Sequence, residues 1–129
     1  MPLALARILY VEDEPDIRAV AQMALEAVGG FAVIACSSGS EALAAAPSAQ
    51  ADLLLLDVMM PGMDGPSTLQ ALRALPATAG TPVIFMTAKV QASEIAQYTA
   101  LGALAVIHKP FDPMELSAQI SRIWADKVV

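Results

Sequence analysis

Short apolar runs alternate with stretches of helical periodicity along this chain. Four runs stand out: Ile8-Leu9-Tyr10-Val11, Leu53-Leu54-Leu55-Leu56, Val83-Ile84-Phe85-Met86 and Leu104-Ala105-Val106-Ile107. A fifth, Phe31-Ala32-Val33-Ile34-Ala35-Cys36, is weaker but rich in β-formers. Runs this short, apolar throughout and bounded by turn residues, predict strands buried on both faces of a parallel sheet.

Between the runs the period changes. Ile17, Val20, Ala21, Ala24, Leu25 and Val28 recur at helical spacing and predict an amphipathic helix ending at Gly29-Gly30. Residues 40–46 predict a short alanine-rich helix stopped by Pro47. After Asp64-Gly65-Pro66 a third helix turns Leu69 and Leu72 inward, and residues 93–101 form a fourth, ending at Gly102. The last helix has the clearest start: Asp112 caps it, Pro113 suits its first position and Glu115 completes a variant capping box. Leu116, Ile120 and Ile123 mark its buried face, and Lys127 favours the negative end of its dipole.

The order is therefore βαβαβαβαβα. Strands separated by helices need right-handed crossovers, which give a parallel sheet with helices on both faces. Five such units predict an α/β, flavodoxin-like (βα)5 sandwich of strand order 2-1-3-4-5. With 129 residues the chain forms one domain around one core, spanning about 6–126, without linker, repeat or low-complexity stretch.

Composition narrows the function. No apolar run approaches the roughly 18–20 residues of a membrane span. One cysteine, Cys36, excludes an internal disulfide and reads as a small core residue. The start before Arg7 is short for a signal peptide, and acids follow at Glu12, Asp13 and Glu14, so the expected location is cytoplasmic. The net charge of −6 argues against direct binding to nucleic acid or an anionic membrane. Clustered acids suggest a cation instead.

The strand ends carry the candidate chemistry. Asp57 closes the leucine run, Glu12-Asp13 closes the first strand, Thr87-Ala88 the fourth and His108-Lys109-Pro110 the fifth. A parallel sheet brings all of these to one edge, and the first and third strands flank the switch point where such sheets bind ligands. Two carboxylates about 4 Å apart repel by roughly 4 kcal/mol at an effective dielectric near 20. A third sharpens the need for a cation, and oxygen ligands with room for water suit Mg²⁺, or Mn²⁺, rather than zinc. Lys109 adds a second positive charge able to reach a phosphoryl oxygen. Thr87 adds a hydroxyl, and the backbone N–H groups beyond Asp57 and Thr87, at Met59 and Ala88, add donors. A cation, a lysine, a hydroxyl and an ionised carboxylate are the parts needed for phosphoryl transfer onto aspartate.

On Glu12-Asp13, on Asp57-Val58-Met59-Met60-Pro61-Gly62-Met63-Asp64-Gly65, on Thr87-Ala88 and on Lys109-Pro110-Phe111, the chain resembles the receiver domain of two-component response regulators over essentially its whole length. The resemblance implies a single receiver domain over 1–129; no output domain is expected within the chain, which is either a stand-alone receiver or a piece of a longer regulator. It implies that Asp57 accepts a phosphoryl group from a histidine kinase or histidine phosphotransfer protein. Glu12, Asp13, Asp57 and the Met59 carbonyl would hold Mg²⁺, Lys109 would pair with the phosphoryl oxygens, and Thr87 would move to meet one. The Lys109–Pro110 bond would be cis. The module would catalyse only its own phosphorylation and dephosphorylation. It would signal through the face formed by the fourth helix, fifth strand and fifth helix, as a monomer or a weak phosphorylation-dependent dimer.

Several positions depart from the family pattern. Glu12 stands for the more usual aspartate and is one methylene longer, so it would reach the metal through water. Val106 stands where many receivers carry a switching aromatic. Gly102-Ala103-Leu104-Ala105 lacks the usual acidic pair, and an exposed Leu104 would make an apolar spot near the fourth helix. Met59 and Lys89, two places after Asp57 and Thr87, would border the path of the hydrolytic water.

Two other functions compete. A haloacid-dehalogenase-type phosphatase needs a second aspartate two residues after the nucleophile, where this chain has Met59. A pseudo-receiver binding partners constitutively is favoured only by Val106. Among the remaining residues, His108 reads as an exposed edge side chain, Met59, Met60 and Met63 as partly buried turn residues, and Trp124 as helix packing or the rim of an interface.

Overall fold

The computed structural model describes residues 4–128; the first three residues and residue 129 lie outside that range. The apolar runs become β1 (Arg7–Val11), β2 (Ala32–Cys36), β3 (Leu53–Asp57), β4 (Val83–Thr87) and β5 (Ala105–His108). All pair in parallel in the order β2-β1-β3-β4-β5. The helices are α1 (Pro15–Met23), α2 (Gly39–Ala49), α3 (Gly65–Arg73), α4 (Ala92–Ala100) and α5 (Leu116–Lys127), and α1 continues as a π-helical segment, Ala24–Val28. This is the flavodoxin-like arrangement that the element order predicts. Among the described residues no helix is long and apolar enough to cross a membrane.

Side chains alternate across each strand, so one sheet serves two cores. Leu9, Val11, Leu54, Leu56, Val83 and Phe85 face α2, α3 and α4, meeting Ala42, Ala46, Leu69, Leu72 and Tyr98. Ile8, Tyr10, Leu53, Leu55, Ile84, Met86 and Ile107 face the other way, meeting Ala21, Leu25, Leu116, Ile120 and Trp124. The same alternation carries Glu12, Asp57 and Lys109 onto the α1/α5 side at the carboxyl edge, since they follow Tyr10, Leu55 and Ile107 by two.

Local rules are overridden at several places. Pro47 does not stop α2, which runs on to Ala49 and closes at Gln50 in a left-handed conformation (φ 52°). Pro47 lies in the last turn, so its missing N–H forfeits one bond near the helix end. Val20 and Val28, expected on the buried stripe, are 45% and 50% exposed. The buried stripe is narrowed to Ala21, Ala24 and Leu25, and from Ala24 the helix widens into the π segment, where the Gly29 N–H reaches back to the Ala24 carbonyl (3.2 Å). That carbonyl also accepts the buried Ser117 hydroxyl of α5 (3.1 Å).

The capping box expected at Asp112 is absent. The Asp112 side chain accepts from the Met114 N–H (2.9 Å), its carbonyl accepts from Glu115 and Leu116, and α5 begins only at Leu116. A turn is thus interposed between the cap residue and the helix. Leu104 is half-buried against the α1/α5-side core rather than forming an apolar spot beside α4. Of the turn methionines, Met60 is buried, Met63 half-buried and Met59 exposed. Cys36 and Trp124 are buried, and His108 is exposed.

Candidate functional site

The site forms where β1, β3 and β5 leave the sheet. The Asp64 side chain caps α3 by accepting the Ser67 N–H (2.8 Å), and Gly62 (φ +74°) turns the intervening loop. Gly65 then packs on β3 itself: a Cβ there would lie 2.5 Å from the Asp57 carbonyl oxygen. The glycine therefore lets α3 start directly against the strand that carries Asp57.

Glu12 and Asp57 are almost wholly buried, at 1% and 2% exposure. Lys109 Nζ donates to both, to Glu12 Oε1 at 2.8 Å and to Asp57 Oδ1 at 3.0 Å. The second Glu12 oxygen accepts the Glu14 N–H (3.2 Å). The Arg18 guanidinium clamps the turn from α1, donating to the carbonyls of Glu12 (2.8 Å) and Asp13 (3.4 Å). The Lys109–Pro110 peptide bond is cis.

Burial pushes the Asp57 carboxyl up to about 6; the Lys109 hydrogen bond works against that rise and Glu12 adds to it. Burial also works to raise Glu12, but the Lys109 bond and the Glu14 N–H outweigh it and hold Glu12 below its ordinary value. Burial works to lower Lys109, and its bonds to Glu12 and Asp57 outweigh that, so the ammonium is held above its ordinary value. Glu12, with the shorter contact and an extra donor, keeps its charge the more firmly of the two acids.

Glu12, Asp13 and Asp57 each offer a carboxylate oxygen, all within 4.8 Å of one another. One ammonium cannot neutralise three carboxylates, so the cluster fits a hard divalent cation with oxygen ligands. The group contains no His or Cys, which speaks against a soft metal.

Thr87 is buried, and its hydroxyl accepts the Lys89 N–H (3.1 Å) rather than joining the acid cluster. It follows Phe85 on the α3/α4 side of the sheet. Ala88 and Met59 border the site with exposed side chains. Val106 is half-buried and lies in register with Phe85, whose ring packs on Tyr98 of α4 (centroids 5.3 Å apart, tilted 53°). Sequence periodicity had no signal for Tyr98 as the ring partner of Phe85, nor for Arg18 as the clamp on the β1 exit. Both contacts depend on side-chain direction, which a periodic pattern does not carry.

An ionised carboxylate, flanked by an ammonium and a cation-binding acid group at an open sheet edge, is suited to attack a phosphoryl group and to neutralise its oxygens. Comparisons with known proteins point to one family. The family profile described as response regulator receiver domain matches residues 8–121. The chain is 36% identical over 114 residues to the DNA-binding response regulator MtrA of Mycolicibacterium smegmatis, covering 88% of this chain and 48% of that protein. It is 37% identical over 116 residues to the transcriptional regulatory protein CseB of Streptomyces avermitilis, covering 90% and 48%. The chain thus spans about half the length of these curated relatives. Among solved structures, the chemotaxis protein CheY4 of Vibrio cholerae superposes with a TM-score of 0.84 at 32% identity, covering 93% of this chain and 99% of that one.

Proposed function

The chain belongs to the response regulator receiver family, and from that premise we propose that Asp57 accepts a phosphoryl group from a histidine kinase or histidine phosphotransfer protein. The observation that carries the proposal is the shared ammonium of Lys109, 3.0 Å from Asp57 and 2.8 Å from Glu12. It stands where the oxygens of an incoming phosphoryl group would need neutralising.

In this reading Glu12, Asp13, Asp57 and the Met59 carbonyl hold Mg²⁺, with Mn²⁺ as a substitute. When bound, the ion supplies positive charge to the phosphoryl oxygens. Asp57 stays ionised at neutral pH, because even a value of about 6 leaves most of it charged at pH 7. Lys109 moves from its carboxylate partners to a phosphoryl oxygen. Thr87 exchanges its Lys89 N–H contact for another, with the backbone N–H groups of Met59 and Ala88 as further donors. Met59 and Lys89 border the path of the water that later hydrolyses the acyl phosphate.

The phosphodonor reaches Asp57 from the open sheet edge. Ile17, Val20, Phe111 and Pro113 line a cleft that includes Lys109 and give this rim an apolar part. The downstream protein partner binds the face of α4, β5 and α5, and Ile95 of α4 is an exposed apolar side chain. The module works in the cytoplasm, and its net charge of −6 favours protein contacts over nucleic acid. The test is incubation with acetyl phosphate and Mg²⁺ followed by intact mass. Wild type should gain one phosphoryl group, and Asp57→Asn should gain none. No gain in wild type, with Mg²⁺ present, would overturn the reading.

A further inference from the structure

Tyr10 is wholly buried in β1, between Ala35 of β2 and Leu55 of β3, and its hydroxyl has no hydrogen-bond partner among the described residues. Phenylalanine would fill the same apolar space among Ala21, Leu25 and Leu116 without burying an unpaired donor. A donor kept at this depth points to a partner gained in another state of the molecule.

The surroundings limit who that partner is. Tyr10 lies on the same sheet face as Glu12, two residues earlier on the same strand. The charges acting on its hydroxyl are those of Glu12, Asp57 and Arg18. Arg18 is a donor already engaged with the Glu12 and Asp13 carbonyls, which leaves the two carboxylates as acceptors. Thr68, the other buried hydroxyl without a partner among the described residues, sits against Gly39 and α2, across the sheet.

Resting on the phosphoacceptor reading above, the resting state gives Glu12 two donors, Lys109 and the Glu14 N–H. Once Asp57 carries a phosphoryl group, Lys109 is drawn to its oxygens, and the Glu12 oxygen that held the ammonium loses its donor. We propose that the Tyr10 hydroxyl then donates to the Glu12 carboxylate in place of Lys109, so that Tyr10 is a positioning residue of the phosphorylated state. The exchange also makes a residue packed on Ala21, Leu25 and Leu116 responsive to phosphorylation, on the face of the sheet opposite Val106.

Tyr10→Phe in the full chain tests this, with beryllofluoride and Mg²⁺ standing in for the phosphoryl group. The free variant should melt at or above the wild-type temperature, since an unpaired hydroxyl has been removed. Its beryllofluoride affinity should fall about five- to tenfold, as expected for loss of one hydrogen bond to a charged group. A slowly exchanging Tyr10 hydroxyl proton should be visible by NMR in wild type only with beryllofluoride bound. Unchanged affinity in Tyr10→Phe overturns the inference while leaving the phosphoacceptor reading intact. Equal destabilisation of both states also overturns it, because it would mark a purely structural hydroxyl or one held by a permanent water. If wild type itself binds no beryllofluoride with Mg²⁺, the phosphoacceptor reading fails, and this inference with it.

Discussion

Glu12 and Asp57 hold a single ammonium between them, Lys109 Nζ lying 2.8 Å from one and 3.0 Å from the other. The two acids come from different strands, and neither is accessible to solvent beyond 2%. They respond oppositely: Glu12, with a second donor in the Glu14 N–H, is held low, while Asp57 rises to about 6. The resting site is therefore an asymmetric pair, stabilised by a lysine that phosphoryl transfer would redirect.

Replacing that lysine should expose its role in the fold. Lys109→Met leaves two buried carboxylates without their counter-charge, and breaking a buried pair costs about 3–5 kcal/mol. Lys109 is 17% exposed, so about 2–3 kcal/mol is expected at pH 7.5. The loss should shrink by pH 5, where protonation relieves the uncompensated acids. Urea denaturation at the two pH values checks this, and a pH-independent loss would contradict it.

Asp57 itself should lower stability above pH 6. Its folded value of about 6 lies above the ordinary 3.8, so between these the native state binds more protons than the unfolded chain. Stability then falls as pH rises through that window. Asp57→Asn lacks the penalty and should be more stable than wild type at pH 7–8 by about 1–2 kcal/mol. That is less than the roughly 3 kcal/mol of two pKa units, because Lys109 loses one partner in the variant. The margin should close by about pH 4. Glu12, being lowered, contributes stability that is lost on acidification in both proteins. Thermal melts of the two proteins from pH 4 to pH 8 provide the check.

Mg²⁺ should raise the melting temperature of wild type, by an amount corresponding to about 2.7 kcal/mol at a concentration 100 times its dissociation constant. The effect should fade below pH 6 as protons compete for Asp57. Asp13→Asn should weaken it at neutral pH, since Asp13 is the member of the group without a lysine contact among the bonds described above. A melting curve insensitive to Mg²⁺ at pH 7.5 would count against the cation site.

The junction of the π segment with α5 offers a test away from the site. The Ser117 hydroxyl donates to the Ala24 carbonyl (3.1 Å), and Ser117→Ala should cost about 1 kcal/mol. A Cβ at Gly29 would collide with the Ser117 hydroxyl and lie 2.8 Å from both the Leu25 carbonyl and the Phe31 ring. Gly29→Ala should therefore cost about 1–3 kcal/mol. The double variant should be less destabilised than the sum, because one of the three clashes is gone. Simple additivity in denaturant melts would refute the contact.

Much of this was legible from local pattern. A leucine run ending in Asp57, with acids after Ile8-Leu9-Tyr10-Val11 and a lysine after Ile107-His108, needs only strand period and crossover handedness to converge at one sheet edge. The resemblance to receivers drew on the same residues. Pro47 and Asp112 misled, because a helix terminus is set by how the last or first turn is satisfied, and neighbouring backbone can override the residue type.

What the amino-acid order determined alone is the sheet, its order and which carboxylates meet, because burial of continuous apolar runs and right-handed crossovers leave few alternatives. Tertiary structure decided the rest. It set how one ammonium is divided between Glu12 and Asp57, how the π segment turns Val28 outward, and how Tyr10 comes to be buried without a partner. Each of these depends on side-chain direction and packing between elements distant along the chain. A one-dimensional period carries neither.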